Sequence, residues 1–238
     1  MLTKKDKLLF FANILEKCKK KQNVKIDMHM HTNWTDGKNT VKEMYRKSCK
    51  KKLSHILFSE HSRRKSGEWF SKFAKEVKNL KKKECTAYVG TEVKILNYNG
   101  DLDLSNKISK SCDFIMASVH RFPGEKGDMI MSRKNFKKSE AIQIEYKLMC
   151  SAINNPKTDI LGHPFGMSIK RFGARPSKKL FLNIMRKCKN KKVAFEINNA
   201  YHYNKNWLLK KCIHENVYFS LGSNAHKVSE VGNVVKKL

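Results

Sequence analysis

The stretch KIDMHMHTNWTDG, Lys25 to Gly37, reads as a strand that ends in chemistry. Apolar residues alternate with polar ones up to His29 and His31, and Asp36 follows five residues later. Two histidines and an aspartate crowded at one strand end ask for a partner. The rest of the chain repeats the theme.

Further strands are expected at 54–61 (SHILFSEH), 87–96 (AYVGTEVKIL), 112–120 (CDFIMASVH), 158–164 (TDILGHP), 193–198 (VAFEIN) and 217–226 (VYFSLGSNAH), after the first at 24–31. Each is short, β-branched or aromatic, and almost continuously apolar at its centre, as strands buried on both faces of a parallel sheet are. Lysine-studded amphipathic stretches separate them: 39–52 with Asn39 or Thr40 as cap, 67–83, 137–154, 176–190 with Pro176 at its start, and 204–216. Trp69, Phe70, Phe73, Val77 and Leu80 form one stripe at helical spacing, which reads as core. Seven strand-then-helix units predict an α/β fold, either a barrel of βα units or an open doubly wound sheet; periodicity alone does not choose.

The 238 residues accommodate one such domain, 23–238, preceded by an amphipathic helix at 1–22. That opening segment is too short in its apolar part and too charged for a signal peptide, and no apolar run approaches the ~20 residues a membrane span needs. Seven cysteines lie scattered with no C-x-x-C pair, which suggests reduced thiols and a cytoplasmic protein. The net charge of +30 raises nucleic acid as a partner. However, lysine outnumbers arginine by 43 to 8, whereas phosphate and base readers favour the arginine fork, so a generally basic solvated surface is the preferred reading.

Polar residues collect where the expected strands end: His29 and His31, Glu60 and His61, His120, His163, Glu196 and Asn198, Asn224 and His226, with Glu92 inside the third strand. Six of nine histidines fall there. The carboxyl ends of a parallel barrel open on one face, the face that carries active sites. Imidazole and carboxylate together suit Zn²⁺, Mn²⁺ or Fe²⁺ rather than Mg²⁺ alone. About eight potential ligands exceed the three or four that a single zinc takes, which favours two or three ions sharing a carboxylate. His55 begins a strand and His214 lies in a helix, so both take structural roles. His202 reads as a loop histidine and Trp34 as a packing residue.

These motifs in this order, HMH followed by TDG, then SEH, GTEV, ASVH, ILGHP and GSNAH, resemble the PHP (polymerase and histidinol phosphatase) domain family over residues 24 to about 230. GTEVKILNYNGDLDLS is most similar to stand-alone phosphoesterases and to the PHP modules of family-X DNA polymerases. The resemblance implies a distorted (β/α)₇ TIM-like barrel and a trinuclear metal site that hydrolyses phosphoesters. The ligands it implies are His29, His31, Asp36, His61, Glu92, His120, His163, Asn224 and His226. Glu92 would be the bridging carboxylate, and catalytic roles fall on Glu92, Asp36 and His226. Two positions depart from the family: Asn224 stands where an aspartate is usual, and Ser59-Glu60 precedes His61 where Thr-Asp is usual.

A metal-bound hydroxide attacking phosphorus would then hydrolyse a small anionic phosphorylated metabolite or nucleotide. Arg63, Arg64, Arg121 and Arg171 are the expected grips on a substrate phosphate, with Lys170 nearby. Two alternatives compete: a nuclease acting on single-stranded or damaged DNA ends, and a catalytically weakened barrel serving as a binding module, which Asn224 would favour.

Overall fold

Seven parallel strands lie side by side in chain order, β1 to β7. They are β1 (Ile26–Met30), β2 (His55–Ser62), β3 (Thr86–Lys94), β4 (Phe114–Ser118), β5 (Ile160–Leu161), β6 (Ala194–Asn198) and β7 (Phe219–Gly222). The computed structural model describes residues 1–80, 84–123 and 136–234. The expected barrel is therefore the fold, and the open sheet is excluded, because β7 returns to β1. A parallel bridge joins Met30 to Ala225, and the His31 N–H donates to the Ala225 carbonyl at 2.8 Å. Below that bridge no ladder joins the two strands, and a side chain does the work instead. The buried Asp27 carboxylate accepts from Ser223 N–H (2.9 Å), Ser223 Oγ (2.6 Å) and Gly232 N–H (2.7 Å). Three donors at one carboxylate satisfy backbone groups that an open seam would leave buried and unpaired.

The connecting helices are α2 (Val41–Lys50), α3 (Gly67–Lys78), α4 (Asn106–Ser109), α5 (Lys138–Asn154), α6 (Gly166–Phe172), α7 (Lys178–Lys191) and α8 (Lys205–His214). Thr40 caps α2 in a reciprocal box with Glu43. Phe70, Phe73 and Val77 are buried along α3, as their spacing predicts, while the lysines at 81–83 that end the expected stretch lie outside the described residues. Pro176 does not open its helix: the Ser177 hydroxyl accepts from Leu180 N–H and takes the cap, so α7 begins two residues after the proline.

An N-terminal helix, α1 (Lys4–Lys19), precedes the first strand, with a Thr3–Asp6 capping box. Phe10 packs edge-on against His55 and Tyr88 and also meets Phe114, all near the starts of β2, β3 and β4. Lys7 pairs with Asp159 just ahead of β5 at 2.7 Å. The helix therefore plugs the amino-terminal opening of the barrel. His55 belongs to that plug, at the end of the barrel away from the other strand histidines. All seven cysteines are free thiols, four of them buried. Among the described residues no helix is long and apolar enough to cross a membrane.

Candidate metal centre

Strand alternation delivers the first two residues of the site. Ile26, Met28 and Met30 face the helices and are buried among apolar side chains, while Asp27, His29 and His31 point into the barrel. Both histidines are wholly buried. Their Nε2 atoms lie 3.0 Å apart, a separation two nitrogen lone pairs do not adopt without a proton or a cation between them.

Glu92 of β3 stands at the centre and is almost fully buried. Its Oε1 lies 2.8 Å from His163 Nε2 and 3.1 Å from His120 Nε2. Its Oε2 lies 3.3 Å from His29 Nε2, 3.5 Å from His31 Nε2 and 3.3 Å from His61 Nδ1. Five imidazoles from β1 and from the ends of β2, β4 and β5 thus surround one carboxylate. A second focus sits at the rim: Asp36 Oδ2 is 3.2 Å from His226 Nε2 and 3.5 Å from His61 Nε2, and Asp36 Oδ1 is 3.9 Å from His31 Nδ1. Three overlapping sets of converging ligand atoms result: His31, Asp36, His61 and His226; His29, His31 and Glu92; His61, Glu92 and His120. Asn224 joins through its backbone. It adopts a positive φ of 56°, and its carbonyl lies 2.9 Å from His226 Nδ1, which donates to it.

The electrostatics match this crowding. Burial opposes the charge on Glu92, but the neighbouring His120 and His29 outweigh it and hold the carboxyl well below the usual range. Burial likewise works against protonating His29, yet Glu196 and Glu92 raise its pKa well above the ordinary value. His31 goes the other way, pushed well down by burial and by the charges of His61 and His29. His120 is also lowered, mainly by burial. Despite partial burial, Asp36 is held low by hydrogen bonds from His226 and His61. Glu92 and Asp36 are thus held ionised and His31 and His120 neutral, as metal ligands need, while Glu196 and Glu92 favour a proton on His29. One further nitrogen fits a cation: His31 Nδ1, which faces Asp36, is buried and has no hydrogen-bond partner among the described residues.

A supporting shell orients these groups. Glu196 of β6 accepts from His29 Nδ1–H at 2.7 Å with one oxygen and from the His163 backbone N–H with the other. That bond fixes the His29 tautomer and turns Nε2 toward Glu92. Glu60, next to His61, holds the loop that carries Asp36. It accepts from Thr32 N–H and Thr32 Oγ, each at 2.7 Å, and from Thr35 Oγ. Burial pushes the Glu60 carboxyl up to about 7. The longer carboxylate of the Ser-Glu-His motif is thus a loop clamp.

His163 sits on a turn with positive φ at His163 (26°) and Phe165 (64°), pinned from two more sides. Glu145, reaching from α5, accepts from the Met167 and Ser168 N–H groups at 3.1 and 2.6 Å, at the start of α6. His202 takes the structural role: its Nδ1 accepts from Asn198 N–H at 3.0 Å and its Nε2–H donates to the Pro164 carbonyl at 2.9 Å. Tyr201 stacks on His163 with ring centres 4.3 Å apart. Glu145 and Tyr201 were not expected in the site, and Glu196, expected at the strand-end face, had no role assigned to it. For Glu196 the signal was present, a carboxylate at a strand end that could face His29.

A cavity of about 530 Å³ opens beside His61, Glu92 and His120. Arg63, Arg121 and Arg171 line it, as do Lys94 and Lys170. Arg64 does not: its backbone N–H donates to Asp103 Oδ1 at 3.0 Å and its guanidinium reaches the Leu102 carbonyl. Trp34 packs as expected, stacked on Trp69 with its indole N–H donating to Glu76 at 2.7 Å.

The PHP domain family profile matches residues 27–200. A Clostridium acetobutylicum protein named "Probable phosphatase" is 27% identical over 223 residues, which cover 89% of this chain and 82% of that one. The Bacillus subtilis DNA polymerase/3'-5' exonuclease PolX is 27% identical over 156 residues, 62% of this chain and 25% of that protein. Among solved structures, the Lactococcus lactis histidinol phosphate phosphatase, complexed with zinc, L-histidinol and phosphate, shares the fold at TM-score 0.62 and 18% identity over 90% of this chain and 93% of that one. A structure from Listeria monocytogenes superposes at TM-score 0.70 with 16% identity, over 90% of this chain and 99% of that one.

Proposed function

Because the chain belongs to the PHP domain family, we propose that it is a metal-dependent phosphoesterase hydrolysing a small phosphorylated metabolite or nucleotide. The observation that carries this reading is the gathering of five imidazoles on Glu92, with Asp36 and His226 beside them. His29, His31, Asp36, His61, Glu92, His120, His163 and His226 would hold two or three transition-metal ions, Zn²⁺, Mn²⁺ or Fe²⁺, with Asn224 as a neutral further donor. Bound ions of this kind supply a hydroxide near neutral pH and neutralise charge on a phosphoryl group. Glu92, which has an oxygen toward each half of the imidazole set, would be shared between ions. Asp36 and His226, at the rim and partly exposed, would complete the cluster on its solvent side. Arg63, Arg121 and Arg171 would grip anionic parts of the substrate by charge-assisted bonds.

Turnover of p-nitrophenyl phosphate with Zn²⁺, Mn²⁺ and Fe²⁺ supplied separately tests the reading. Metal-dependent hydrolysis is expected, and its absence with every ion overturns it. The bis-ester, run in parallel, separates monoester from diester preference.

The likeness to PolX and the charge of +30 favour a second reading, hydrolysis at DNA ends. A labelled oligonucleotide assayed across ionic strength tests it, since binding along a phosphate backbone weakens steeply with salt. The weakened binding module has less support, because the carboxylates and imidazoles around Glu92 are in place.

A further inference from the structure

Tyr201 stands in the turn after β6, and that turn is closed on itself. Asn198 Oδ1 accepts from the Ala200 N–H at 2.9 Å and from the Tyr201 N–H at 3.3 Å, and the Asn198 carbonyl accepts from the His202 N–H at 3.1 Å. His202 ties this turn to the one that carries His163, through its bond to the Pro164 carbonyl. The phenol ring lies nearly parallel to the His163 imidazole, with 22° between the planes and 4.3 Å between the centres. Gly166 leaves the space that the ring takes up: a Cβ there would stand 2.8 Å from Tyr201 Cδ1. So bounded, the ring holds its hydroxyl in a fixed place beside the metal centre.

The stack accounts for the ring but not for the hydroxyl, since a phenylalanine would lie on His163 equally well. A tyrosine covered to this extent usually finds a partner for its O–H. The Tyr201 hydroxyl has none among the described residues, and it is not one of the sealed polar atoms: Tyr201 lines the open cavity together with His61, Glu92 and His120. Burial, and after it the charge of Glu92, raises the phenol above its ordinary range, so Glu92 is the charge that the oxygen feels most. The ring is one stacking distance from an imidazole whose Nε2 points at Glu92, 2.8 Å away. The acceptor this donor can meet is therefore a group bound at the cluster. We propose that the Tyr201 hydroxyl is a substrate contact, donating a hydrogen bond to an oxygen of the phosphoryl group seated there. The inference rests on the phosphoesterase reading for the presence of that group, and adds a neutral donor to its recognition. The phenol moves no proton; it contributes a hydrogen bond to a charged acceptor, one of the stronger kinds.

Calorimetric titration of inorganic phosphate into the metal-loaded full chain reads the contact without turnover. Tyr201→Phe keeps the ring and removes the donor alone. It should weaken phosphate binding about tenfold, the effect of one hydrogen bond to a charged acceptor, while metal content and Tm stay those of wild type. The kcat/KM for p-nitrophenyl phosphate should fall with it, by about 10–100-fold. In a chain labelled with carbon-13 at the tyrosine Cζ, one resonance that is missing from Tyr201→Phe should move when phosphate is added. Tyr203→Phe, two residues on and exposed against Arg175, should alter none of these readings. Unchanged phosphate affinity in Tyr201→Phe, a resonance that stays still, or a wild-type chain that binds no phosphate at millimolar concentration overturns the proposal. Loss of metal or of Tm in Tyr201→Phe also overturns it, because the hydroxyl would then serve the fold. Phosphate binding that depends on the hydroxyl, without hydrolysis of any ester, leaves the contact standing and sinks the phosphoesterase reading instead.

Discussion

The Nδ1–H of His29 donates to the Glu196 carboxylate at 2.7 Å, reaching from β1 past β7 to β6. The other oxygen of the same carboxylate accepts the backbone N–H of His163. One side chain therefore orients an imidazole directly and another through its backbone. Replacing Glu196 with Gln puts an amide N–H against one of these two donors. Metal affinity should fall by about 10–100-fold, the usual effect of losing an orienting carboxylate. Competition with a fluorescent chelator measures it; unchanged affinity would show that the pair does not set the ligand geometry.

Gly222 on β7 leaves the room that this pair occupies. A Cβ there would collide with Glu196 Oε1 and lie 2.7 Å from the His29 Cβ. Gly222→Ala should thus reproduce the metal loss of Glu196→Gln, with about 1–3 kcal/mol of overpacking cost added. Thermal unfolding together with the chelator assay checks both parts. A variant with wild-type stability and affinity would mean that β7 can yield at this point.

Two buried groups behind the His163 turn give stability opposite pH dependences. Burial lowers His202 to about 4, below its ordinary 6.5, so its contribution is complete above pH 6.5 and is lost as pH falls through about 4. Burial raises Glu145 from 4.5 to about 7, so its contribution is complete below pH 4.5 and is lost as pH rises through about 7. Each shift corresponds to something on the order of 3 kcal/mol. Denaturant midpoints between pH 4 and 8 should show His202→Gln removing an acid-side loss and Glu145→Gln removing a neutral-side loss. Parallel curves for wild type and both variants would contradict these assignments.

Much of this was readable along the chain. All seven strands announced themselves, because a strand buried on both faces must be apolar almost throughout, and the polar residues closing each one stood out against that background. The inventory of histidines and carboxylates around Glu92 followed. What stayed hidden depends on distances across the barrel. Glu145 lies on a helix far in sequence from the α6 backbone it caps, and no local pattern links them. The seven-residue α6 begins after two residues with positive φ, so periodicity had too little length to register. Arg63 and Arg64 are equivalent as sequence, and only the turn after β2 sends one into the cavity and the other to the Leu102 carbonyl. Asp27 read as an ordinary polar position, whereas it ties the seam between β1 and β7.

Chelation should destabilise the whole chain, since ions held only by the folded state add stability that grows with their concentration, about 4 kcal/mol at a thousandfold excess over Kd. A calorimetric scan with and without chelator reads this as a fall in Tm that added metal reverses. Identical scans would place the ions, if any, outside the folded barrel.

If Glu92 and the imidazoles around it hold several ions at once, elemental analysis of the gel-filtered protein after metal loading reads them most directly. Wild type should carry two to three transition-metal ions per chain, and Glu92→Gln should lose at least one while its circular dichroism stays unchanged. A wild-type chain that emerges free of metal, or a Glu92→Gln chain with the full complement, would contradict the account.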